Sequence, residues 1–528
     1  MIRSAGPYSS GRRSNSERRA GRIFVRIARS FALLLLLSAL TVATARKPSA
    51  DIAGVWIFPR SDMFPGLRML RIAHGRDGWN GTVTSDWYGD IPMQAVDVGK
   101  GKVSFLIGNG NPRLPPRAWQ ARMEDGRLHI VGDIWERHVD VRARRGTAAE
   151  ARQLSFAVAA LPAPASLPSD GLARTPPMGW SSWNRFGAAI DDRTVREIAD
   201  HLVSSGLRDA GYRYVNIDDG WQGGRGRDGG IRPNARFPDM KALVAYVHSK
   251  GLKIGIYSSP GPKTCAGFTG SYGHVAQDAR TFAAWGFDYL KYDLCSGEGI
   301  YRTAAEVKRA YQQMGQALRA AGHPIVYSLC QYGRDRVGRW GREVGGHLWR
   351  TTGDIEDKYT SMAAIGFDKN GDPDDAGPGG WNDPDMLEVG NGGMSEDEYR
   401  THMTLWAIQA APLMLGNDVR TMSPGTIALL ENPGVIAIDQ DPLGKQGRRL
   451  RKDGDAEIWA KPLADGSVAI ALFNRGAGAR DIGFRNEDSA LTSIASLVDI
   501  WAGVKDNPAR RNWTVPAHGA VLLRLFPG

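Results

Sequence analysis

Cysteine is scarce in this chain of 528 residues: there are three, Cys265, Cys295 and Cys330, beside ten histidines. That excludes a dense disulfide scaffold, and no Cys/His grouping has zinc-site spacing, so neither a metal nor another cofactor is expected. Long apolar runs are as rare. The one that stands out, residues 31–40, is short for a bilayer span; an arginine-rich stretch precedes it and the small-x-small pattern Ala43-Thr44-Ala45 follows. Residues 1–45 therefore read as a signal peptide, and the mature chain as exported, periplasmic or secreted, with no membrane association after cleavage. Positive charge is also less abundant than it looks. Eight arginines against one glutamate in residues 1–45 hold +7 of the formal +11, and the remaining +4 is weak ground for a nucleic-acid partner.

What is present is organised in blocks. Residues 50–146 alternate short apolar runs with Gly, Asp and Asn turns: 54–58, 69–72, 79–83, 103–107, 118–123, 128–131 and 139–141. Such spacing predicts an all-β sandwich or small barrel. Residues 147–171, ending in the Ala/Pro-rich 160–168, read as a linker. From 172 to 442 candidate strands (214–217, 253–257, 289–293, 325–329, 348–350, 412–415) alternate with candidate helices (194–205, 240–250, 275–285, 304–321). This is the pattern of an α/β chain closed into a (β/α)₈ TIM barrel of catalytic type. Residues 443–528 return to short strands and predict a C-terminal antiparallel β-sandwich. In an exported chain a disulfide can form, and Cys265 and Cys295 are the favoured pair because each follows a predicted strand end. Cys330 is then a free, buried thiol.

In such a barrel the reactive groups sit at the C-terminal ends of strands. The polar residues here keep to those places. Asp218, Asp219 and Trp221 follow 214–217; Tyr257 ends the next strand; Lys291 and Asp293 end the one after, the run 285–290 reading as the apolar strand that delivers Asp293. Gln331 follows Cys330, Arg350 and Asp354 follow Leu348, and Asp385 lies in Gly380-Trp-Asn-Asp-Pro-Asp385. Two carboxylates on different strand ends, Asp293 and Asp354, are what glycoside cleavage needs: one attacks or activates water and the other protonates the leaving oxygen. Lys291 and Arg350 would keep a neighbouring nucleophile ionised, whereas the acid needs a raised pKa.

These motifs, together with Thr175-Pro-Pro-Met-Gly-Trp-Ser-Ser-Trp-Asn184, Thr264–Ser271 and Trp349-Arg-Thr-Thr-Gly-Asp354, resemble glycoside hydrolase family 27, the α-galactosidases and α-N-acetylgalactosaminidases. The resemblance spans roughly 172–440. It implies a retaining, exo-acting α-galactosidase with Asp293 as nucleophile and Asp354 as acid/base. It also implies that Asp218 and Asp219 accept galactose hydroxyls, with Trp183, Trp221, Tyr257, Lys291, Gln331, Arg350 and Asp385 around the sugar, and that a disulfide stands at Cys265–Cys295. One departure is Gln331-Tyr332, where many members carry Glu-Trp near the sugar's C2 hydroxyl. The same machinery on N-acetylgalactosamine ranks lower, because the small Ser/Ala pattern of that type is absent. So does β-L-arabinopyranoside, which has no C6 hydroxyl for Asp219. A catalytically silent carbohydrate-binding protein is the alternative of another class. For the first domain two roles are open: polysaccharide binding through Trp79, Trp87 and Trp119, or buttressing of the barrel, and the second is favoured.

Overall fold

In the computed structural model the described residues are 52–61, 66–99, 101–108, 115–134 and 137–528. The segment read as a signal peptide lies outside them. Among the described residues no helix is long and apolar enough to cross a membrane.

The first domain is a closed antiparallel barrel of eight consecutive strands: β1 (Gly54–Ile57), β2 (Leu67–Gly75), β3 (Gly78–Ser85), β4 (Gly89–Gly99), β5 (Lys102–Ile107), β6 (Arg117–Glu124), β7 (Arg127–Ile134) and β8 (Arg137–Arg145), with β8 pairing back onto β1. Alternation drives it. In β5 the side chains of Val103, Phe105 and Ile107 turn inward while Lys102 and Ser104 face water. Closure removes the free sheet edges that would otherwise pair with other chains.

The connection from 147 to 171 is ordered. Thr147 and Glu150 form a capping box that starts the helix Ala148–Leu154. The chain then runs along the helix Ala304–Ala320: Arg309 donates to the carbonyls of Leu161 and Pro162, Gln312 to that of Ala163, and Arg319 to that of Pro168. The segment read as a linker is thus a strap pinned through its backbone carbonyls.

The second domain holds eight parallel strands: β9 (Met178–Ser181), β10 (Tyr214–Asn216), β13 (Lys253–Ser258), β14 (Tyr289–Asp293), β15 (Val326–Cys330), β16 (Leu348–Arg350), β17 (Trp381–Asp383) and β18 (Leu413–Leu415); the hairpin β11 (Gln222–Arg225) and β12 (Ile231–Pro233) is inserted after β10. The order is 17-16-15-14-13-10-9-18, and a parallel bridge from Leu387 to Leu415 joins the two ends. Strand β14 is almost wholly buried, as a parallel strand covered by helices must be. Its register is set from behind. The helix Val275–Trp285 stops at Gly286, whose φ of +92° and N–H bonds to Phe282 and Ala283 end the helix cleanly. The run 285–290, read as one strand, is therefore a helix end, a cap and only then the strand.

The third domain is an antiparallel sandwich. A six-stranded sheet of order 19-20-21-26-23-24 uses β19 (Arg448–Asp453), β20 (Ala456–Pro462), β21 (Val468–Asn474), β23 (Ile494–Asp499), β24 (Val504–Asp506) and β26 (Ala520–Pro527). It faces the pair β22 (Arg480–Gly483) and β25 (Asn512–Val515).

Candidate active site

Seven of the eight parallel strands send a side chain from their C-terminal ends into one pocket. Asp293 is buried, 5% exposed, at the tip of β14. Both its oxygens are held: the Tyr257 hydroxyl donates to Oδ2 at 3.1 Å and the Tyr332 hydroxyl to Oδ1 at 2.8 Å. Lys291, two residues back, points to the same side and donates to Asp218 Oδ2 at 2.9 Å. Asp218 Oδ1 accepts the N–H of Asp219 at 2.8 Å, and the Ser182 hydroxyl accepts the N–H of Asp218 at 3.0 Å, so the turn after β10 is fixed on both sides. Asp219 accepts the N–H of Ala266 on Oδ2 at 2.7 Å, while its Oδ1 is buried without a partner. Trp183, partly buried, forms an apolar wall.

Across from these, the buried Arg350 guanidinium forks between two acids. Nη1 lies 3.0 Å from Asp385 Oδ1 and Nη2 lies 3.0 Å from Asp354 Oδ1. Asp385 holds the backbone at φ +87°, costly for a non-glycine residue, and two bonds keep it there: its Oδ2 accepts the Ile355 N–H at 2.9 Å and its carbonyl accepts from Trp406 Nε1 at 2.8 Å. Asp354 stands at the mouth with its side chain 66% exposed.

Burial and charge shift the two carboxyls in opposite directions. Burial pushes the Asp293 carboxyl up, although Lys291 and the Tyr332 hydroxyl pull against it and the Asp354 charge adds to the rise. Partial desolvation by the surrounding rim would raise Asp354, but the charges of Arg350 and Lys291 outweigh it and hold that carboxyl below its ordinary range. The reason is placement: the Arg350 fork rests on Asp354, not beside Asp293. Elsewhere, burial pushes Asp385 up to about 6 against Arg350, and Asp219 up to about 7 against the Ala266 N–H and Thr264, with the Asp218 and Asp293 charges adding. Lys291 stays firmly protonated, since Asp218 and other neighbouring charges overcome its burial.

Two residues expected around the sugar stand elsewhere. Trp221 is fully buried in the core, its rings edge-on to Phe282 and Trp285 and its Nε1 donating to the Tyr257 carbonyl at 2.9 Å. It backs the wall and does not line it. Gln331 is also fully buried, its Oε1 accepting the Arg334 N–H, and is absent from the pocket surface. The chain turns through φ +62° at Tyr332 and +72° at Gly333, which swings the next side chain into the pocket. Tyr332 thus occupies the wall in its stead, under the Arg350 guanidinium at 5.8 Å. Its place after the strand-ending Cys330 was the available signal, but the residue type carried none. Trp183, Asp218, Asp219, Tyr257, Lys291, Asp293, Arg350, Asp354 and Asp385 all line the pocket.

Cys265 and Cys295 are joined, tying the loop after β13 to the turn after β14, and Cys330 is free and buried. Among the described residues Cys265, Asp293 and Cys295 form the one grouping close enough to hold an ion, but the disulfide leaves it no thiolate. Trp119 is buried in the first domain's core and Trp79 packs against that core, edge-on to His74.

The chain matches the family described as Alpha galactosidase A over residues 175–441, and the Alpha galactosidase C-terminal beta sandwich domain over 453–525. It is 51% identical over 313 residues to the α-galactosidase of Cyamopsis tetragonoloba, covering 58% of this chain and 75% of that one. With α-galactosidase A of Cellvibrio japonicus the identity is 45% over 382 residues, covering 67% and 93%. The crystal structure of α-galactosidase I from Mortierella vinacea superposes with a TM-score of 0.64 at 35% identity, over 68% of this chain and 98% of that one.

Proposed function

Because the chain belongs to the α-galactosidase family, glycoside hydrolase family 27, we infer that it cleaves terminal α-linked galactose from oligosaccharides or polysaccharides with retention of configuration. One observation carries this reading: Asp293, at the tip of β14, and Asp354, on the loop after β16, face a single pocket lined from seven strand ends, four of which supply its acids and cations. A pocket of that kind takes a chain end. In the first step Asp293 attacks the anomeric carbon as Asp354 gives its proton to the leaving oxygen; in the second, Asp354 takes a proton from water, which displaces the aspartyl ester. Asp218 and Asp219 are placed to accept ring hydroxyls through charge-assisted bonds, and the free Oδ1 of Asp219 is an acceptor waiting for one. Arg350 offsets the negative charge that Asp354 acquires once its proton has left. We further propose that residues 1–45 direct export, which the Cys265–Cys295 bridge supports because disulfides persist in oxidising compartments.

The test is release of nitrophenol from the α-D-galactopyranoside, run beside the α-N-acetylgalactosaminide and the β-L-arabinopyranoside. Turnover of the galactoside should dominate. Faster turnover of either other sugar would reassign the specificity, and binding of galactose without turnover of any would make the chain a lectin.

Tyr332→Phe gives a finer check. The hydroxyl on Asp293 Oδ1 stabilises the ionised nucleophile, so its loss should raise the Asp293 pKa further. The acid limb of the kcat/KM profile then moves to higher pH, and kcat/KM at neutral pH falls about tenfold, the worth of one hydrogen bond to a charged group. An unmoved acid limb would reduce Tyr332 to a packing residue.

A further inference from the structure

The first domain touches the catalytic domain where the pocket rim is built. The turn between β3 and β4 carries Asp86, Trp87 and Tyr88. The edge of the Trp87 indole rests on Gly267: a Cβ there would lie 2.7 Å from Cη2 and 3.0 Å from Cζ2. The Gly267 backbone has φ +91°, so both its conformation and the indole require glycine. Tyr88 closes on Gly299 in the same manner, where a Cβ would lie 2.7 Å from the Tyr88 Cβ, and Arg302 donates to the carbonyl of Asp90. Gly267 belongs to the loop that starts at the disulfide, and Gly299 ends the 3₁₀ turn Cys295–Gly299 that follows Asp293. One hairpin turn therefore presses on both loops that the disulfide joins.

What the first of these loops delivers is the Ala266 N–H, 2.7 Å from Asp219 Oδ2. Cys265 and Ala266 are exposed on the rim, so the donor is held by the disulfide on one side, by the Gly267 N–H bond to the Thr264 carbonyl at 3.0 Å, and by the indole against Gly267 on the other. We propose that Trp87 is a positioning residue for sugar binding: by bracing Gly267 it holds the Ala266 N–H on Asp219 and so keeps Oδ1 of that carboxylate aimed at the substrate. The first domain is then part of the pocket's scaffolding, a role distinct from carbohydrate binding by its own tryptophans. The inference rests on the reading of the pocket as a galactose site.

A double-mutant cycle on the full chain separates this from simple buttressing. Trp87→Ala should weaken D-galactose binding, measured by titration calorimetry, about five- to tenfold, and the same change in an Asp219→Asn background should weaken it by less than about twofold. Should Trp87→Ala fold poorly, Trp87→Phe fills the turn but withdraws the edge from Gly267 and should show the same pattern. Trp79→Ala, in the same barrel but away from the rim, should leave the affinity unchanged. Equal weakening in both backgrounds, or none in the first, overturns the proposal while α-galactoside hydrolysis by the parent chain still upholds the pocket reading. A parent chain that hydrolyses no α-galactoside removes that reading and this inference together.

Discussion

Replacing Asp293 by glycine is expected to lower kcat on nitrophenyl α-galactoside by about 10⁴-fold or more, the scale of losing a nucleophile that works as a unit with its partner. Azide should then restore turnover, because the missing carboxylate leaves a space on the β face of the sugar that a small anion can enter. The acid at 354 is intact in this variant and still protonates the leaving group, so the product should be β-galactosyl azide. Asp354→Ala makes the opposite prediction. With a leaving group that needs no proton, the ester on Asp293 forms and waits, since no base remains to activate water; loss of the general acid/base costs about 10²–10⁴-fold. Azide needs no base, attacks the ester from the other side, and should give α-galactosyl azide. The two anomeric outcomes, read by proton coupling at C1, assign the carboxylates independently of any pKa. Identical products from both variants, or full activity in either, would overturn the assignment. The test matters because burial pushes the Asp293 carboxyl up, while the charges of Arg350 and Lys291 overcome desolvation to hold that of Asp354 down, so the roles need evidence independent of protonation.

The strand that carries Asp293 was legible because five residues, Tyr289–Asp293, combine aromatic and apolar side chains with a polar tip. Its start was not, because Trp285 is as apolar as the strand and only the glycine after it marks the boundary. The strands β9 and β17, Met-Gly-Trp-Ser and Trp-Asn-Asp, contain no apolar run and emerge only as partners of their neighbours. In the first domain β4 escaped for a different reason. Pro92 and the shift in pairing between Gln94 and Asp97, with Ala95 at φ +47°, break the alternation that identified the other strands. Among site residues the acids and cations were readable because they recur at several strand tips at once, whereas a single charge there is most often a solvated loop residue. Aromatic residues were not: Trp221 and Tyr332 both follow strand ends, and only backbone direction separates a core ring from a pocket wall.

Lys461→Met is expected to destabilise the protein by about 3 kcal/mol, the scale of leaving several buried hydrogen-bond acceptors without their donor. Lys461 is fully buried in β20 of the third domain. Its ammonium donates to the Ala407 carbonyl at 3.3 Å, and to those of Ile438 and Asp439 at 2.5 and 3.4 Å. These are the last carbonyls of two helices of the catalytic domain, Glu396–Ile408 and Pro433–Asp439, so one cation answers the negative ends of both. Burial pulls Lys461 down to about 8, opposed by the Asp439 and Asp441 charges, and pushes Asp439 up to about 8, opposed by the Lys461 charge. Methionine keeps the length but strands three carbonyls and the buried Asp439, whose Oδ1 already lacks a partner. The shift should appear in the first urea transition, and adding Asp439→Asn should recover part of it by removing the stranded acid. Lys505→Met, on the exposed strand β24, should change stability by no more than about 0.5 kcal/mol. Activity should suffer before unfolding does. The helix Glu396–Ile408 carries Trp406, whose Nε1 holds the Asp385 carbonyl, and Asp385 in turn holds Arg350 against Asp354. A loosened helix end therefore loosens the acid, and kcat/KM should fall several-fold in urea too dilute to unfold the chain. A variant as stable and as active as the parent would show that the sandwich does not anchor the site through this residue.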